Sequence, residues 1–241
     1  MNESHKSHMS QGLVCRLGLI SFPKAMEFEH RLLSLRHEEK VPDVLLIFEH
    51  PPTITMGKFG DPRNILADDE ELKRRGIALY GSDRGGDATF NCPDQLVVHP
   101  IVNLRLKGAR AYISELEELG ISVLHKYGIK AERSEQHPGL WVKGMQIGAI
   151  GLRFSRGVSM HGLSINVNPV LDRFDVINLC GLPGKTATSI EHELGHTVPL
   201  DDVMEKIEQA YSDIFCAELE GISRQELAKI CFGVQPGITN Q

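Results

Sequence analysis

The sequence predicts a mixed α+β fold, and three observations lead to this prediction. Apolar and polar residues alternate with a period of two over 146–154 and 159–167, which indicates strands in the middle of the chain. Helical spacing of apolar residues is concentrated nearer the ends. Because helices and strands do not alternate regularly, continuous βαβ winding is not expected.

The first part of the chain is expected to alternate short strands with helices. Pro23 suits the first turn of a helix, because that position needs no backbone N–H donor. Gly76 ends a charged helix, because glycine favours the left-handed conformation just past a helix C-terminus. The expected elements are a strand at 13–20, a helix at 23–38, a strand at 44–49, a loop and short strand at 50–57, a helix at 67–75 and a strand at 77–80.

The remaining elements include the longest strands. Pro93 divides two strands, and Lys143-Gly144 predicts a hairpin turn. Tyr112, Leu116 and Leu119 recur at helical spacing, as expected for an amphipathic helix that packs on the sheet. The expected elements are strands at 87–91, 95–104, 146–154 and 159–167, and helices at 109–126, from 200 onward and at about 223–231.

Bulk composition limits the classes of partner and the domain organisation. The 241 residues, 41% of them hydrophobic, suffice for one large domain over 11–241 after a disordered 1–10. A net charge of −6 with scattered Lys and Arg argues against nucleic-acid binding. The polar N-terminus and short apolar runs predict no signal peptide, no membrane span and a cytoplasmic location. Five widely spaced cysteines without CxxC argue against a disulfide framework or a structural zinc site.

Two local features are candidates for a chemical site. Cys180 is flanked by small and apolar residues on a predicted loop that follows the long strands, and a thiol held by a rigid sheet suits a nucleophile. Arg84-Gly85-Gly86 places a guanidinium beside two residues that let a ligand approach the backbone. The alternative for this tripeptide is an ordinary glycine turn before a strand.

A third feature suggests a different class of protein. Residues 192–196 (HELGH) fit the HExxH pattern of zinc peptidases, in which two histidines one helical turn apart bind the metal. Gly195 and Pro199 would shorten the helix that this arrangement needs, and Glu218 or Glu220 would have to supply a third ligand. A zinc peptidase is therefore a remote alternative.

Four ordered blocks of this sequence resemble the lipoyl(octanoyl) transferases, also called octanoyl-ACP:protein N-octanoyltransferases or lipoate-protein ligase B. The blocks are EHPPTITMG at 49–57, RGGDATFNCPDQLVVHPIVNL at 84–104, GLWVKGMQIGAIGLRFSRGVSMHGLSINVNPVLDRF at 139–174 and LCGLPGKTATSIEHELG at 179–195. The resemblance implies a fold like the biotin and lipoate protein ligase catalytic domain, a mixed sheet flanked by helices with a small second sheet. It also makes the two histidines of 192–196 incidental surface residues.

The resemblance further implies an activity and a site. The family moves an octanoyl group from acyl carrier protein to a lysine of lipoyl domains of 2-oxoacid dehydrogenases or of the glycine cleavage H protein. Transfer passes through a cysteine thioester, here at Cys180, without cofactor, ATP or metal. His161 is the candidate base. The residues implied in acyl binding are Arg84, Gly85, Gly86, Asp87, Ala88, Thr89, Phe90, Asn91, Ala149, Ile150, Gly151, Gly162, Leu163 and Ser164.

The chain departs from the family pattern at two places. Gln146 occupies the position of the lysine that lowers the pKa of the cysteine, and a neutral amide cannot accept a proton. The family's HGPGQ segment here reads NCPDQ at 91–95, so its histidine and both glycines are lost, and a further hypothesis is that Cys92 and Cys180 form a regulatory disulfide or divide the acyl-transfer work. The alternatives left open are a diverged acyltransferase and a non-catalytic protein that binds acyl groups or lipoyl domains.

Overall fold

The computed structural model describes residues 9–104, 107–134 and 137–233. Most of the segment predicted to be disordered, residues 1–8, lies outside these ranges, and the first strand already begins at Ser10. No helix in the described part of the chain is both long enough and apolar enough to cross a membrane. The domain boundaries expected from the sequence stay a prediction.

A seven-stranded mixed sheet forms the centre of the fold, in the order β10-β1-β2-β6-β9-β8-β7. β1 is parallel to both of its neighbours, β10 and β2, whereas the other pairs in this sheet are antiparallel. Its strands are β1 (Ser10–Leu19), β2 (Asp43–Glu49), β6 (Gln95–Ile101), β7 (Gly139–Val142), β8 (Met145–Ser155), β9 (Val158–Asn166) and β10 (Ala217–Gly221).

Helices cover both faces of this sheet. Leu45 and Ile47 of β2 point to one face and Leu46 and Phe48 to the other, and all four are fully buried, as the alternation of side chains along a strand requires. α3 and α5 pack on the first face, and α1 and α6 on the second. The helices are α1 (Phe22–His37), α2 (Asp69–Arg75), α3 (Ala109–His125), α4 (Ile190–Leu194), α5 (Leu200–Phe215) and α6 (Arg224–Phe232).

A small second sheet in the order β4-β3-β5 lies beside the segment that carries Cys180. Its strands are β3 (Thr53–Met56), β4 (Ala78–Gly81) and β5 (Ala88–Asn91). Ile54 and Phe90 of this sheet pack with Phe174 and Leu179 in a separate apolar cluster. This cluster anchors the cysteine-bearing segment against the small sheet.

The observed elements confirm the predicted α+β fold, including the small second sheet. Gly76 has a φ of +66° and caps α2, and Lys143 and Gly144 have φ values of +49° and +81° at the β7–β8 turn, as expected for a tight hairpin. The prediction omitted β10, because only helices were expected after residue 200. Its sequence AELEG is mostly exposed and charged, so its strand conformation depends on pairing with β1.

Candidate active site

Cys180 lies in a short 3₁₀ turn, Leu179–Gly181, at the edge of the small sheet. Its φ of +53° and ψ of +27° place it in the left-handed region, which is uncommon for a residue other than glycine. The thiol is half-buried, whereas Leu179 is buried in the apolar cluster. Backbone strain of this kind is concentrated at functional sites, so the turn agrees with a chemical role for the thiol.

Polar groups next to Cys180 fix this turn. A Cβ on Gly181 would lie 2.8 Å from Asp87 Oδ2 and 3.1 Å from Asn64 Nδ2, so glycine is required there. Asn64 Nδ2 donates to Asp87 Oδ2 over 2.8 Å, and the backbone N–H of Asn178 donates to Asn64 O over 2.8 Å. Asp87, predicted to bind the acyl group, therefore lies next to the turn and stabilises it through Asn64.

The side chain of Gln146 contacts the thiol directly. Gln146 Nε2 donates to Cys180 Sγ over 3.1 Å, and the residue is buried on β8. Its backbone N–H donates to Thr186 O and its carbonyl accepts from Thr188 N–H, each over 2.9 Å. Residues 186–188, which follow the cysteine turn, are thus hydrogen-bonded to the backbone of Gln146, and these bonds keep its side-chain amide close to the thiol.

The surroundings of Cys180 disfavour a thiolate at neutral pH. Burial raises the pKa of the thiol above its ordinary value of 9.0. The N–H of Gln146 and the positive charge of Arg84 lower this pKa, and the negative charge of Asp87 raises it. Because burial is the largest effect, the neutral thiol is the resting form.

The cavity beside the thiol, of about 10 Å³, is lined by neutral groups. Gln95 Nε2 donates to Asn166 Oδ1 over 2.8 Å, and Asn91 Nδ2 donates to Gln95 Oε1 over 2.5 Å. The amides therefore form a hydrogen-bonded chain with no ionisable member. The lining consists of Ala88, Thr89, Phe90, Gln95, Gln146, Gly148, Ala149, Ser164, Asn166, Phe174, Leu179 and Cys180.

Arg84 is buried, and its donors are occupied by the protein. Its guanidinium donates to Thr55 O over 2.7 Å, to Thr89 Oγ1 over 2.8 Å and to Gly85 O over 3.0 Å. Burial lowers the pKa of Arg84 to about 10. A Cβ on Gly151 would lie 2.8 Å from Arg84 Cδ, which explains the glycine opposite it. Arg84 therefore joins β3 to β5 and forms a wall of the site.

A second cavity, of about 40 Å³, adjoins the first and shares Thr89, Ala149 and Ser164 with it. Most of the residues predicted to bind the acyl group are thus divided between two adjoining cavities. The second cavity is lined by Phe22, His50, Thr55, Ser82, Arg84, Thr89, Asn91, Val97, His99, Ala149, Gly151, His161, Gly162, Leu163 and Ser164. The predicted residues Gly85, Gly86, Asp87 and Ile150 are outside both described linings.

His161, the predicted base, lies in the second cavity. Its Nε2 is 2.7 Å from Asp83 Oδ1 and its Nδ1 is 3.5 Å from Glu29 Oε2. The structure therefore engages this imidazole with two carboxylates, while the side chain that contacts Cys180 Sγ is that of Gln146. The role of His161 as a base for the thiol stays a prediction.

Sequence reasoning missed several residues that line the two cavities or contact His161. Gln95 and Asn166 lie inside the resembling blocks, so their amide groups were available as a signal. Glu29 is 1% exposed on α1, where a carboxylate in an amphipathic helix predicts a solvated position. His99 contacts Glu29 and Asp83 contacts His161 only because the fold brings these distant residues together.

The two lysines nearest in sequence to Gln146 and Cys180 have other partners. Lys143 Nζ is 3.0 Å from Glu193 Oε2, and Lys185 Nζ lies 5.7 Å from the centroid of the Trp141 ring. Neither contributes to the pKa of Cys180. The thiol therefore has Arg84 as its cationic influence within the described structure.

The HExxH motif does not form the geometry of a zinc site. α4 spans only Ile190–Leu194 and ends where Gly195 turns left-handed, so His196 follows the helix and is not one turn beyond His192 on the same face. Glu193 Oε1 accepts from Thr188 Oγ1 over 2.8 Å. Within the described ranges, these side chains do not form a group with metal-ligand spacing.

Cys92 is a buried free thiol in the apolar cluster of the small sheet. Burial raises its pKa to about 12, which makes it a weak nucleophile. Cys180 is also a free thiol in this structure. A disulfide between them stays a hypothesis.

Comparison with known sequences places these residues in a family context. The model of the family described as "Lipoyl protein ligase A/B catalytic domain" matches residues 21–212. An octanoyltransferase from Rubrobacter xylanophilus is 40% identical over 199 residues, covering 82% of this chain and 90% of that protein. An octanoyltransferase from Caldicellulosiruptor saccharolyticus is 38% identical over 221 residues, covering 90% and 94%.

Solved structures confirm the fold. A lipoate-protein ligase A bound with ATP superposes with a TM-score of 0.77 at 13% identity, covering 91% of each chain. A putative lipoate protein ligase from T. acidophilum superposes with a TM-score of 0.74 at 12% identity, covering 93% of this chain and 99% of that one. At such low identity the likeness is one of architecture.

Proposed function

From the membership of this chain in the lipoyl protein ligase A/B catalytic-domain family, we propose that Cys180 carries an octanoyl group as a thioester during protein lipoylation. The chain is a transferase enzyme that acts in octanoyl transfer, in line with its octanoyltransferase relatives. The observation that supports Cys180 as the nucleophile is its left-handed turn in the lining of the smaller of two adjoining cavities. The side-chain amide of Gln146, whose Nε2 lies 3.1 Å from Cys180 Sγ, supplies a hydrogen-bond donor to the thiol.

The reaction consists of two acyl transfers, and neither consumes a proton. In the first, Sγ of Cys180 attacks the thioester of octanoyl acyl carrier protein, and the carrier leaves as a thiol that takes the proton lost by Cys180. In the second, a neutral lysine amine attacks the Cys180 thioester. Formation of the amide releases Sγ, which recovers a proton from the amine. The balance requires no ATP or other co-reactant.

Gln146 stabilises negative charge in this scheme but does not move a proton. Its amide N–H donates to the thiolate, or to the nearby oxyanion of the tetrahedral intermediate, as such donors do in acyl transfer. An ammonium at this position would also lower the pKa of the thiol through its charge. With Gln146 the thiolate forms by ionisation from a raised pKa, so capture of the acyl group accelerates as the pH rises.

The two cavities provide the path for the acyl chain. Their volumes of about 10 and 40 Å³ are smaller than an eight-carbon chain requires, so binding needs movement of the walls. Thr89, Ala149 and Ser164 line both cavities, and because their side chains are small, movement of these walls would join the two spaces. The chain would enter at Cys180 and extend toward His161.

The proposed partners follow from the family. Acyl carrier protein would deliver the octanoyl group, and a lysine on a lipoyl domain of a 2-oxoacid dehydrogenase or on the glycine cleavage H protein would receive it. One structural neighbour, described as a bipartite lipoate protein ligase, was studied with its E2 lipoyl domain. The cytoplasmic location expected from the sequence stays a prediction.

Intact-protein mass spectrometry tests the proposal. The protein is incubated with octanoyl acyl carrier protein at pH 8, and a mass gain of one octanoyl group on the Cys180 peptide is expected. Addition of an apo lipoyl domain should remove this adduct and acylate the domain. Cys180→Ser should abolish a transferable adduct, and Cys92→Ser is the matched control that should retain it. An adduct on Cys92 alone, or transfer undiminished in Cys180→Ser, would contradict the proposal.

A second candidate function is favoured by Gln146 in particular. A neutral amide against a thiol of raised pKa also suits a protein that binds acyl or lipoyl groups without turnover. In the same experiment this protein would bind acyl carrier protein or the lipoyl domain and form no adduct at any pH up to 9.

A further inference from the structure

Three side chains from separate elements meet at the far side of the second cavity. Glu29 comes from α1, His99 from β6 and His161 from β9. His99 Nδ1 is 2.8 Å from Glu29 Oε1, and His161 Nδ1 is 3.5 Å from Glu29 Oε2. One ligand atom from each residue lies within 4.8 Å of the other two, and these three form the group of this kind among the residues the structure describes.

The carboxylate of Glu29 needs positive charge beside it. The residue is 1% exposed, and a buried carboxylate without compensation is strongly disfavoured. In the described ranges its ion-pair partners are the two imidazoles, which are charged only when protonated. No lysine or arginine there pairs with it. The partners of the Glu29 carboxylate are thus imidazoles, which are side chains that also bind metals.

Asp83 orients His161 in the manner of a metal ligand. Asp83 Oδ1 lies 2.7 Å from His161 Nε2 and accepts its N–H, and in the neutral imidazole this places the Nδ1 lone pair toward Glu29. Arg153 and His30 hold the other oxygen of Asp83. Carboxylate–histidine pairs of this kind commonly fix the tautomer and direction of histidines that bind metals.

We propose that Glu29, His99 and His161 form a binding site for a divalent cation of the zinc class. Two imidazoles and one carboxylate are a donor set that zinc uses in sites that keep one position open. Ligand distances of about 2.0–2.2 Å place the donor atoms about 3–3.5 Å apart, so small side-chain movements suffice. The open position would face the second cavity, which both histidines line.

This site lies apart from the thiol and has a consequence for the acyl path. A cation bound by His99 and His161 would occupy the far end of the space into which the octanoyl chain is proposed to extend. Zinc should therefore slow acyl capture by Cys180. This consequence rests on the proposed function, whereas binding of the metal does not.

Metal binding is tested first without any acyl substrate. The Cys180→Ser protein is treated with chelator and titrated with Co²⁺ by visible absorption and with Zn²⁺ by calorimetry. One ion per chain is expected, with Co²⁺ bands typical of nitrogen and oxygen ligands. Glu29→Gln and His99→Gln should each weaken binding by tenfold or more. His192→Gln, which alters the HExxH motif, is the matched control and should bind normally.

Several outcomes would overturn the inference. They are absence of binding at micromolar metal, binding unchanged in both ligand variants, or binding lost in His192→Gln. Circular dichroism shows whether each variant is folded, and His99, 14% exposed at its side chain, offers a milder substitution than Glu29 if Glu29→Gln unfolds. If the metal binds and no octanoyl adduct forms, the proposed function fails and this inference stands; an adduct without metal binding gives the reverse.

Discussion

The two adjoining cavities differ in the kind of polar group they hold. Beside Cys180, the cavity is lined by neutral polar side chains, namely the amides of Gln95, Gln146 and Asn166 and the hydroxyls of Thr89 and Ser164. The second cavity ends at the imidazoles of His99 and His161, which are paired with carboxylates. Three small side chains separate these environments.

This difference shows that reactivity and acid–base capacity are separated in this molecule. Cys180 has the left-handed backbone found at many functional sites, but its contact with Gln146 provides no charge and no base. His161 has acid–base capacity, but Asp83 engages its Nε2. Substitutions at five positions test whether the reactivity of the thiol is separate from the acid–base groups of the second cavity, and the largest effect is expected at Glu29.

Replacing the buried carboxylate in Glu29→Gln should reduce stability most. Burial raises the pKa of Glu29, but the combined charge and hydrogen bonds of His99 and His161 outweigh it and lower this pKa to about 2 from its ordinary 4.5, so the charged form stabilises the fold above pH 4.5. That contribution, on the order of 3 kcal/mol, is lost as the pH falls toward 2. Urea unfolding at pH 7 and at pH 3 should show a smaller pH dependence in the variant. Glu118→Gln, at an exposed position, is the control and should behave like the wild type; a wild-type pH dependence in Glu29→Gln would count against the charged pair.

Gln146→Lys should place a positive charge in the cavity beside Cys180 Sγ. An ammonium near Sγ lowers the pKa of Cys180, and each unit raises the thiolate fraction near neutral pH about tenfold. Iodoacetamide labelling of the Cys180 peptide, followed from pH 6 to pH 10, should therefore be at least about tenfold faster at pH 7 than in the wild type.

Gln146→Met is the matched control for this experiment, because it keeps the size of the side chain and removes the N–H donor. It should label more slowly than the wild type at pH 7, since the hydrogen bond from Gln146 lowers the pKa of Cys180. Equal labelling in all three proteins would show that position 146 does not set the reactivity of the thiol.

Asp87→Asn should have a smaller effect in the same direction. The negative charge of Asp87 raises the pKa of Cys180, and an asparagine removes that charge while keeping an oxygen that accepts from Asn64. Labelling of Cys180 at pH 7 should increase by about two- to fivefold, because the charge lies at the edge of the site. Slower labelling would indicate that the turn has rearranged, which thermal denaturation would reveal.

Lys143→Ala and Lys185→Ala should have the least effect. Lys143 pairs with Glu193, and Lys185 lies over the ring of Trp141. Neither ammonium contributes to the pKa of Cys180, so labelling at pH 7 should change by less than about twofold. A tenfold decrease in the labelling rate of either variant would identify that lysine as the cation that activates the thiol. The cavity beside Cys180 would then not be free of charged groups.

Local patterns in the sequence predicted most of the fold. The period of two over 146–154 and 159–167 predicted β8 and β9, because successive side chains of a strand point to opposite faces of the sheet. β10 escaped prediction, because only Ala217 of its five residues is buried and its conformation depends on β1. The HExxH motif shows the opposite failure, since a correct local spacing lost its meaning when Gly195 ended the helix.

The site was predictable where its residues belong to the resembling blocks. Cys180 and Gln146 were paired by that resemblance, and the structure gives the 3.1 Å contact. The cluster of Glu29 and His161 was not predictable, because their 132-residue separation is closed only when α1 packs over β9. Residue spacing carries no information on such a contact.

The pairing of β10 with β1 has a consequence for how the chain folds as it is synthesised. Gln11 and Glu218 are bonded across the two strands at a separation of 207 positions. β1 therefore emerges from the ribosome early and gains its second neighbour only after α5 has formed. Until then one edge of β1 keeps unpaired backbone groups, which are open to pairing with another chain. Contacts between residues so distant in sequence generally form late, and exposed strand edges favour aggregation until they are paired.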